Sequence, residues 1–152
     1  MKTLEITKGE DNPVLRAVSK DVKSFDKKLK KLAKQMREAM VKAKGIGIAA
    51  PQVGINLRIF LVTLDIGKKS EACFAMVNPK ITKFSEETDI AEEGCLSLPG
   101  VYGKVERPSS ITVEFFDIEG SRHVLELEGL NARVVQHEND HIDGALFVDK
   151  LV

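Results

Sequence analysis

The sequence predicts an α+β fold in which mixed or antiparallel β-sheets wrap around a central C-terminal helix that carries an HExxH motif, with one long helix nearer the N-terminus. Three observations predict it: helical spacing of apolar residues before Gly45, a series of β-rich stretches from 57 to 128, and two histidines sharing one face of a later helix.

The first helix comes from FDKKLKKLAKQMREAMVKAKG. Phe25, Leu29, Leu32, Met36, Ala39, Met40 and Ala43 recur every three or four positions and line one side. Ser24 or Asp26 can cap its start, Lys42 and Lys44 suit the negative end of its dipole, and Gly45 ends it. Lys27, Lys28, Lys30, Lys31 and Lys34 form a basic run, which is most simply a solvated helix face.

Strands are expected in LRIFLVTL (57–64), CFAMVNPKITKF (73–84), ITVEFF (111–116) and HVLELE (123–128), all rich in β-branched and aromatic residues. Turn chemistry stands at Asn78-Pro79 and in the DIEG of 117–120, so ITVEFF and HVLELE are expected to form a hairpin. The last helix should run from about Leu130 to Ile142 and close at Gly144. Its Leu130, Val134, His137 and His141 fall on one side.

At 152 residues the chain fits one domain spanning 1–152, large enough for a core without disulfides. Lys+Arg and Asp+Glu are equal at 23 each, so the overall charge offers no basic field for nucleic acid or anionic lipid, and a small-molecule or peptide substrate is expected instead. MKTLEITKGEDNP lacks the apolar core of a secretory signal, and no apolar run approaches the roughly 20 residues that span a bilayer. A cytoplasmic monomer without a membrane partner is expected, with Cys73 and Cys95 as free thiols.

Chemistry concentrates in QHENDHIDG (136–144). Residues four apart lie one turn above each other on a helix, so His137 and His141 can converge on one ion while Glu138 reaches the space beside it. A catalytic site of this kind takes three protein ligands and a water. A third histidine after the metzincin pattern fails, because Phe147 holds that position. A thermolysin-like downstream glutamate is absent from IDGALFVDKLV, where Asp143 and Asp149 are weak substitutes. Upstream, Cys95 in EEGCLSLPG is the best candidate, since the flanking residues suggest a shaped loop or strand end and thiolate suits zinc or ferrous iron. Cys73, inside CFAMV, reads as core, and His123 as a surface or hairpin residue.

The stretch GIGIAAPQVG (45–54) contains G-x-G-x-x-A, with Asp65 twenty residues after Gly45. A dinucleotide fingerprint needs a strand before it and a helix after, and here a helix precedes and Pro and Gly follow. An extended segment whose glycines let a ligand approach the backbone fits better; Gln52 is then either an amide donor in a site or a solvent-facing turn residue.

GIGIAAPQ, EGCLS and QHENDH, in this order and spacing, resemble the three signature motifs of the bacterial-type peptide deformylase family. DNPVLR, YGKVERP and GLNARVVQHE extend the likeness over nearly the whole chain. The resemblance implies a hydrolase that removes the N-terminal formyl group from formyl-methionyl peptides of nascent proteins and releases formate. It implies Cys95, His137 and His141 as metal ligands, with Fe2+ the usual ion and Zn2+, Ni2+ or Co2+ able to replace it. Metal-bound hydroxide would attack the formyl carbon, Glu138 would act as general base and then acid, and Gln52 with the Leu96 N–H would stabilise the oxyanion. The methionine side chain would enter a pocket lined by Ile46, Leu130, Val134 and Glu93 or its neighbours, while Gly47 and residues near Tyr102 pair with the peptide backbone. Many bacterial members continue beyond the equivalent of ALFVDKL into a C-terminal helix associated with ribosome docking. This sequence stops at Val152, which puts that mode of attachment in doubt while the ribosome stays open as a partner, and a natural end and a truncation fit equally well.

Three rival readings use the same residues. Cys95 could be a nucleophile with His137 or His141 as its base. A structural metal site would need a fourth ligand such as Cys73 or His123. A broader metallopeptidase would cleave internal bonds, which the Gly-rich segment and the short run from helix to chain end disfavour.

Overall fold

The computed structural model describes residues 4–152, which contain three α-helices, α1 (Pro13–Arg16), α2 (Lys27–Lys42) and α3 (Gly129–Ile142), two short 3-10 turns (Ala50–Val53 and Phe147–Lys150) and seven strands. These are β1 (Gly47–Ala49), β2 (Ile59–Leu64), β3 (Ala72–Phe84), β4 (Thr88–Cys95), β5 (Leu98–Pro108), β6 (Ser110–Phe116) and β7 (Arg122–Glu128). The order β1-β2-β3-β6-β7 makes one five-stranded sheet, and β4-β5 is a separate two-stranded hairpin. Every strand pairing in both sheets is antiparallel, which removes the mixed alternative.

Strand alternation builds two cores on the two faces of the large sheet. Ile59, Leu61, Ala75 and Val77 face one way and pack with Leu29, Leu32, Met36, Ala39 and Met40 of α2. Phe60, Val62, Leu64 and Met76 face the other way and meet Ala132, Val134, Val135 and Ile142 of α3. A third, smaller cluster joins Leu98 and Val105 of the hairpin to Leu146 and Phe147. The α3 helix is therefore held between the large sheet and the β4-β5 hairpin, and α2 covers the outer face of the sheet. No helix among the described residues is long and apolar enough to cross a membrane.

Several local expectations change. Asp26, not Ser24, caps α2 by accepting from Leu29 N at 3.0 Å. Phe25 stands outside the helix against Phe116. The helix ends at Lys42 and its left-handed residue is Lys44 (φ 60°), one position before the expected Gly45. Asn78-Pro79 does not reverse the chain. Asn78 (φ 48°) forms a bulge inside β3, and its side-chain amide exchanges two hydrogen bonds with the Val22 backbone. The DIEG turn does form, with Gly120 N donating to Asp117 O, and it joins β6 to β7 as expected.

The β4-β5 hairpin had no signal in composition. Its sequences, TDIAEEGC and LPGVYGKVERP, are polar and interrupted by glycine and proline, because much of the hairpin is exposed. Pairing with register Thr88↔Pro108 to Gly94↔Tyr102 holds it together instead.

Candidate metal centre

Cys95 is the last residue of β4, where the hairpin register slips between Gly94 and Cys95. Such a bulge re-aims a side chain, and here it brings Cys95 Sγ to 3.3 Å from His141 Nε2. One turn earlier on α3, the His137 ring lies with its centroid 5.1 Å from that of His141. Ligand atoms of Cys95, His137 and His141 all fall within 4.8 Å of one another.

Among the described residues these three form the only cluster able to hold an ion in this way. Cys73 packs on the α2 side of the sheet and His123 bonds Asp117 at 2.7 Å, so neither closes the site. Asp143 and Asp149, the downstream options, are paired with Arg58 and Arg16. Sulfur and imidazole nitrogen are donors that suit zinc or ferrous iron, and no fourth such group joins the cluster among the described residues. Phe147, where a metzincin would place its last histidine, stacks on the His137 ring.

Glu93 fixes the centre from behind. His137 Nδ1 donates to Glu93 Oε1 at 2.9 Å, which directs Nε2 of the ring to the ligand cluster. Both Glu93 oxygens also accept from Arg107, at 2.6 and 2.9 Å, and Arg133 Nη1 adds a bond of 2.5 Å. Arg107 reaches on to Asp140 at 2.9 Å, and Arg133 to Asp89 and the Val105 carbonyl. These ion pairs and hydrogen bonds hold the Glu93 carboxylate well below its usual range, against the cost of burying it.

The local field favours positive charge. Burial opposes the charged form of His137, yet hydrogen bonding with Cys95 and Glu93 and the charge of Glu138 outweigh it and raise the imidazole to about 10. Burial and the charge of His137 keep His141 well below its ordinary value, which leaves its nitrogen lone pair on offer.

Glu138 and Gln52 stand over this cluster. Burial pushes the Glu138 carboxyl up to about 7, and its Oε1 has no hydrogen-bond partner among the described groups. Gln52, in the short 3-10 turn Ala50–Val53, is 1% exposed, which excludes the solvent-facing turn. Its Oε1 accepts from Ala49 N at 2.9 Å, so its Nε2 is aimed at Cys95 Sγ (3.5 Å) and Ser97 Oγ (3.2 Å). The glycines upstream have a steric role: a Cβ on Gly47 would stand 2.6 Å from Glu138 Oε2, and one on Gly45 2.8 Å from Leu96 Cδ1. The segment is extended as expected, with β1 in its centre, and its glycines make room for the Glu138 and Leu96 side chains of the chain itself.

A cleft of about 500 Å³ opens onto these groups. Ile46, Gly47, Gln52, Glu93, Leu96, Tyr102, Leu130, Val134, His137 and Glu138 all line it with Cys95, and His141 lies buried beneath at 1% exposure. Tyr102 lies across the Gly94 backbone, where a Cβ would meet its ring at 2.6 Å. Sequence reasoning placed Glu93 only in the pocket wall and missed Arg107, Arg133, Ser97 and Asp140. Arg133, one turn before His137, was the one detectable signal, since an arginine on the inward face of a helix needs a buried partner.

A family model described as polypeptide deformylase matches residues 3–152. The peptide deformylase of Rhizobium meliloti (strain 1021) is 47% identical over 140 residues, covering 91% of this chain and 79% of that one. Among solved structures, peptide deformylase from Thermotoga maritima superposes with a TM-score of 0.93 at 41% identity, covering 100% of this chain and 99% of its own. The enzyme from Synechococcus elongatus, solved in complex with actinonin, gives 0.92 at 40% identity, covering 98% and 80%. With a catalytic-type ligand set, a buried glutamate above it and this likeness along almost the full length, the chain belongs to the polypeptide deformylase family of hydrolases.

Proposed function

We propose that the chain hydrolyses the formamide bond of formyl-methionyl peptides as they are made, with Cys95, His137 and His141 holding the metal and Glu138 moving the protons. The observation that carries this reading is the buried Glu138 beside a three-ligand cluster at the floor of an open cleft. A divalent ion in that position would polarise the formyl carbonyl and lower the pKa of bound water towards neutrality.

The residues of the chain supply the rest. Glu138 takes a proton from the attacking water as the new carbon–oxygen bond forms, and a carboxyl near 7 suits that work at neutral pH. When the carbon–nitrogen bond breaks, Glu138 returns the proton to the amine, so the products are formate and a free N-terminus. Negative charge on the formyl oxygen meets the Gln52 Nε2 amide, held rigid by its bond from Ala49 N, and the Leu96 N–H. Ile46, Leu130 and Val134 offer the methionine side chain an apolar wall, with Glu93 locked behind it. Gly47, on β1, and the Tyr102 region of β5 are the two edges along which an extended peptide can pair.

Ferrous iron is the proposed ion, with zinc, nickel or cobalt as substitutes, since sulfur and imidazole donors accept all four. The 3.3 Å contact between Cys95 and His141 would equally suit a thiol nucleophile and its base. Placing His137 in the same cluster favours the metal. The test is formate release from formyl-Met-Ala-Ser by nickel- or iron-loaded protein. Formate that a chelator abolishes and metal restores supports the reading; no formate from loaded wild type overturns it.

A further inference from the structure

A net charge of zero conceals a strong separation of charge. Ten of the 23 basic residues but three of the 23 acidic ones lie between residues 20 and 44, so the rest of the chain carries the compensating negative excess. Because α2 buries Leu29, Leu32, Met36, Ala39 and Met40 against the sheet, Lys27, Lys28, Lys30, Lys31 and Lys34 all emerge on its exposed face. Among the described residues only Lys30 of these five has an ion-pair partner, Glu119 at 3.1 Å. The nearby Asp26 carboxylate is engaged in capping.

Stability does not explain this arrangement. The helix has no acidic residue in its first turn, and four lysines stand within its first five positions, at the positive end of the helix dipole. Pairs 27–31 and 30–34 add like-charge repulsion one turn apart. Glutamates there would strengthen the helix. We propose that the exposed basic face of α2 docks this chain on the phosphate backbone of RNA.

The five residues of the run are all lysines, point charges that suit phosphate contacts and not base readout, and Arg37 adds a sixth cation one turn beyond Lys34. Grooves on both flanks of the helix widen the positive surface, one lined by Lys30, Lys34 and Arg37 against a single acidic residue, Asp117, the other by Lys20, Lys23, Lys28 and Lys31 against Asp21 and Asp26. An anionic membrane is the weaker fit, because the apolar stripe of α2 is already buried in the core and only the separated side chains of Phe25 and Val41 are exposed near these lysines, too little for an inserted apolar face. The choice of RNA over DNA rests on the proposed substrate: peptides still being synthesised are surrounded by RNA. Binding itself is independent of the chemistry in the cleft.

The test is fluorescence anisotropy of the full metal-loaded chain with a fluorescein-labelled 24-nucleotide RNA hairpin. Neutralising four or five phosphates gives a log–log salt slope of about −4, a loss of roughly two orders of magnitude in affinity between 50 and 200 mM KCl. The triple variant Lys27→Glu, Lys31→Glu, Lys34→Glu should bind at least about tenfold more weakly with a flatter slope. Its thermal midpoint should rise, which separates lost binding from lost folding. Lys68→Glu, Lys69→Glu, Lys83→Glu makes the same charge change elsewhere on the exposed surface and should bind RNA nearly as well as wild type. Absence of RNA binding, equal losses in the two triple variants, or tighter binding to a DNA hairpin of the same length or to phosphatidylglycerol–phosphatidylcholine vesicles would each overturn the proposal. Formate release by the α2 variant should be unchanged; if wild type binds RNA but releases no formate, the reading of the cleft fails and the docking surface stands.

Discussion

His137 Nδ1 donates to Glu93 Oε1 at 2.9 Å, and this bond ties the α3 helix to strand β4 directly behind the ligand cluster. Glu93 in turn is gripped by Arg107 and Arg133, so the orientation of the His137 ring depends on a buried network of three charged groups with Asp140 at its edge.

Replacing Glu93 by Gln keeps the size but removes the charge that both arginines answer. Metal affinity should fall about 10- to 100-fold, as for other hydrogen-bond partners of metal ligands. Stability should fall by about 3–5 kcal/mol, because two guanidinium groups lose a buried counter-charge. Cobalt titration followed by its visible absorption, together with urea unfolding, checks both effects. Unchanged cobalt affinity would show that His137 needs no support from β4.

Gly47→Ala places a methyl group 2.6 Å from Glu138 Oε2. Glu138 must move by a fraction of an ångström to an ångström, and displacement on that scale costs on the order of 10²-fold in rate. The metal ligands are untouched, so the variant should bind one metal per chain while kcat collapses. Elemental analysis alongside formate release distinguishes this from a folding defect.

Gln52→Ala removes the amide that Ala49 N holds in place. A lost oxyanion donor costs about 10²–10³ in kcat, and KM should change much less. A predominant rise in KM would make Gln52 a ground-state contact instead.

Arg16 and Asp149 form a partly exposed pair at 2.6 Å, and the Arg16 hydrogen bond holds the Asp149 carboxyl below its ordinary value. A depressed carboxyl contributes stability that is present above the unfolded-state pKa of about 4 and disappears as pH falls through the folded value. Arg16→Ala should therefore lose up to about 1 kcal/mol at pH 7, with the gap from wild type closing as the solution is acidified below pH 4. Urea midpoints at pH 7 and pH 3 measure it.

Much of this centre was legible because its parts are local. QHENDH sets two ligands and a glutamate on one helix by period alone, and the failure of Phe147 and the C-terminal aspartates pointed upstream to Cys95. Gly47 and Gln52 lie within one short segment, so their common place beside the cluster was also within reach. The network of Arg107, Arg133 and Asp140 around Glu93 was not, since it depends on the register of the β4-β5 hairpin, and that hairpin is held by backbone pairing with no clear apolar alternation. The lysine run of α2 was legible as a solvated helix face, but a charge sum of zero concealed the gathering of ten basic and three acidic residues between 20 and 44.

Glu138 carries the central claim, and one comparison tests it directly: formate release from formyl-Met-Ala-Ser by wild type and Glu138→Ala at matched nickel occupancy. If Glu138 moves the protons, the variant keeps its metal and loses about 10²–10⁴-fold in kcat, the usual range for a general acid–base group. A fully loaded Glu138→Ala protein that releases formate at the wild-type rate would contradict it.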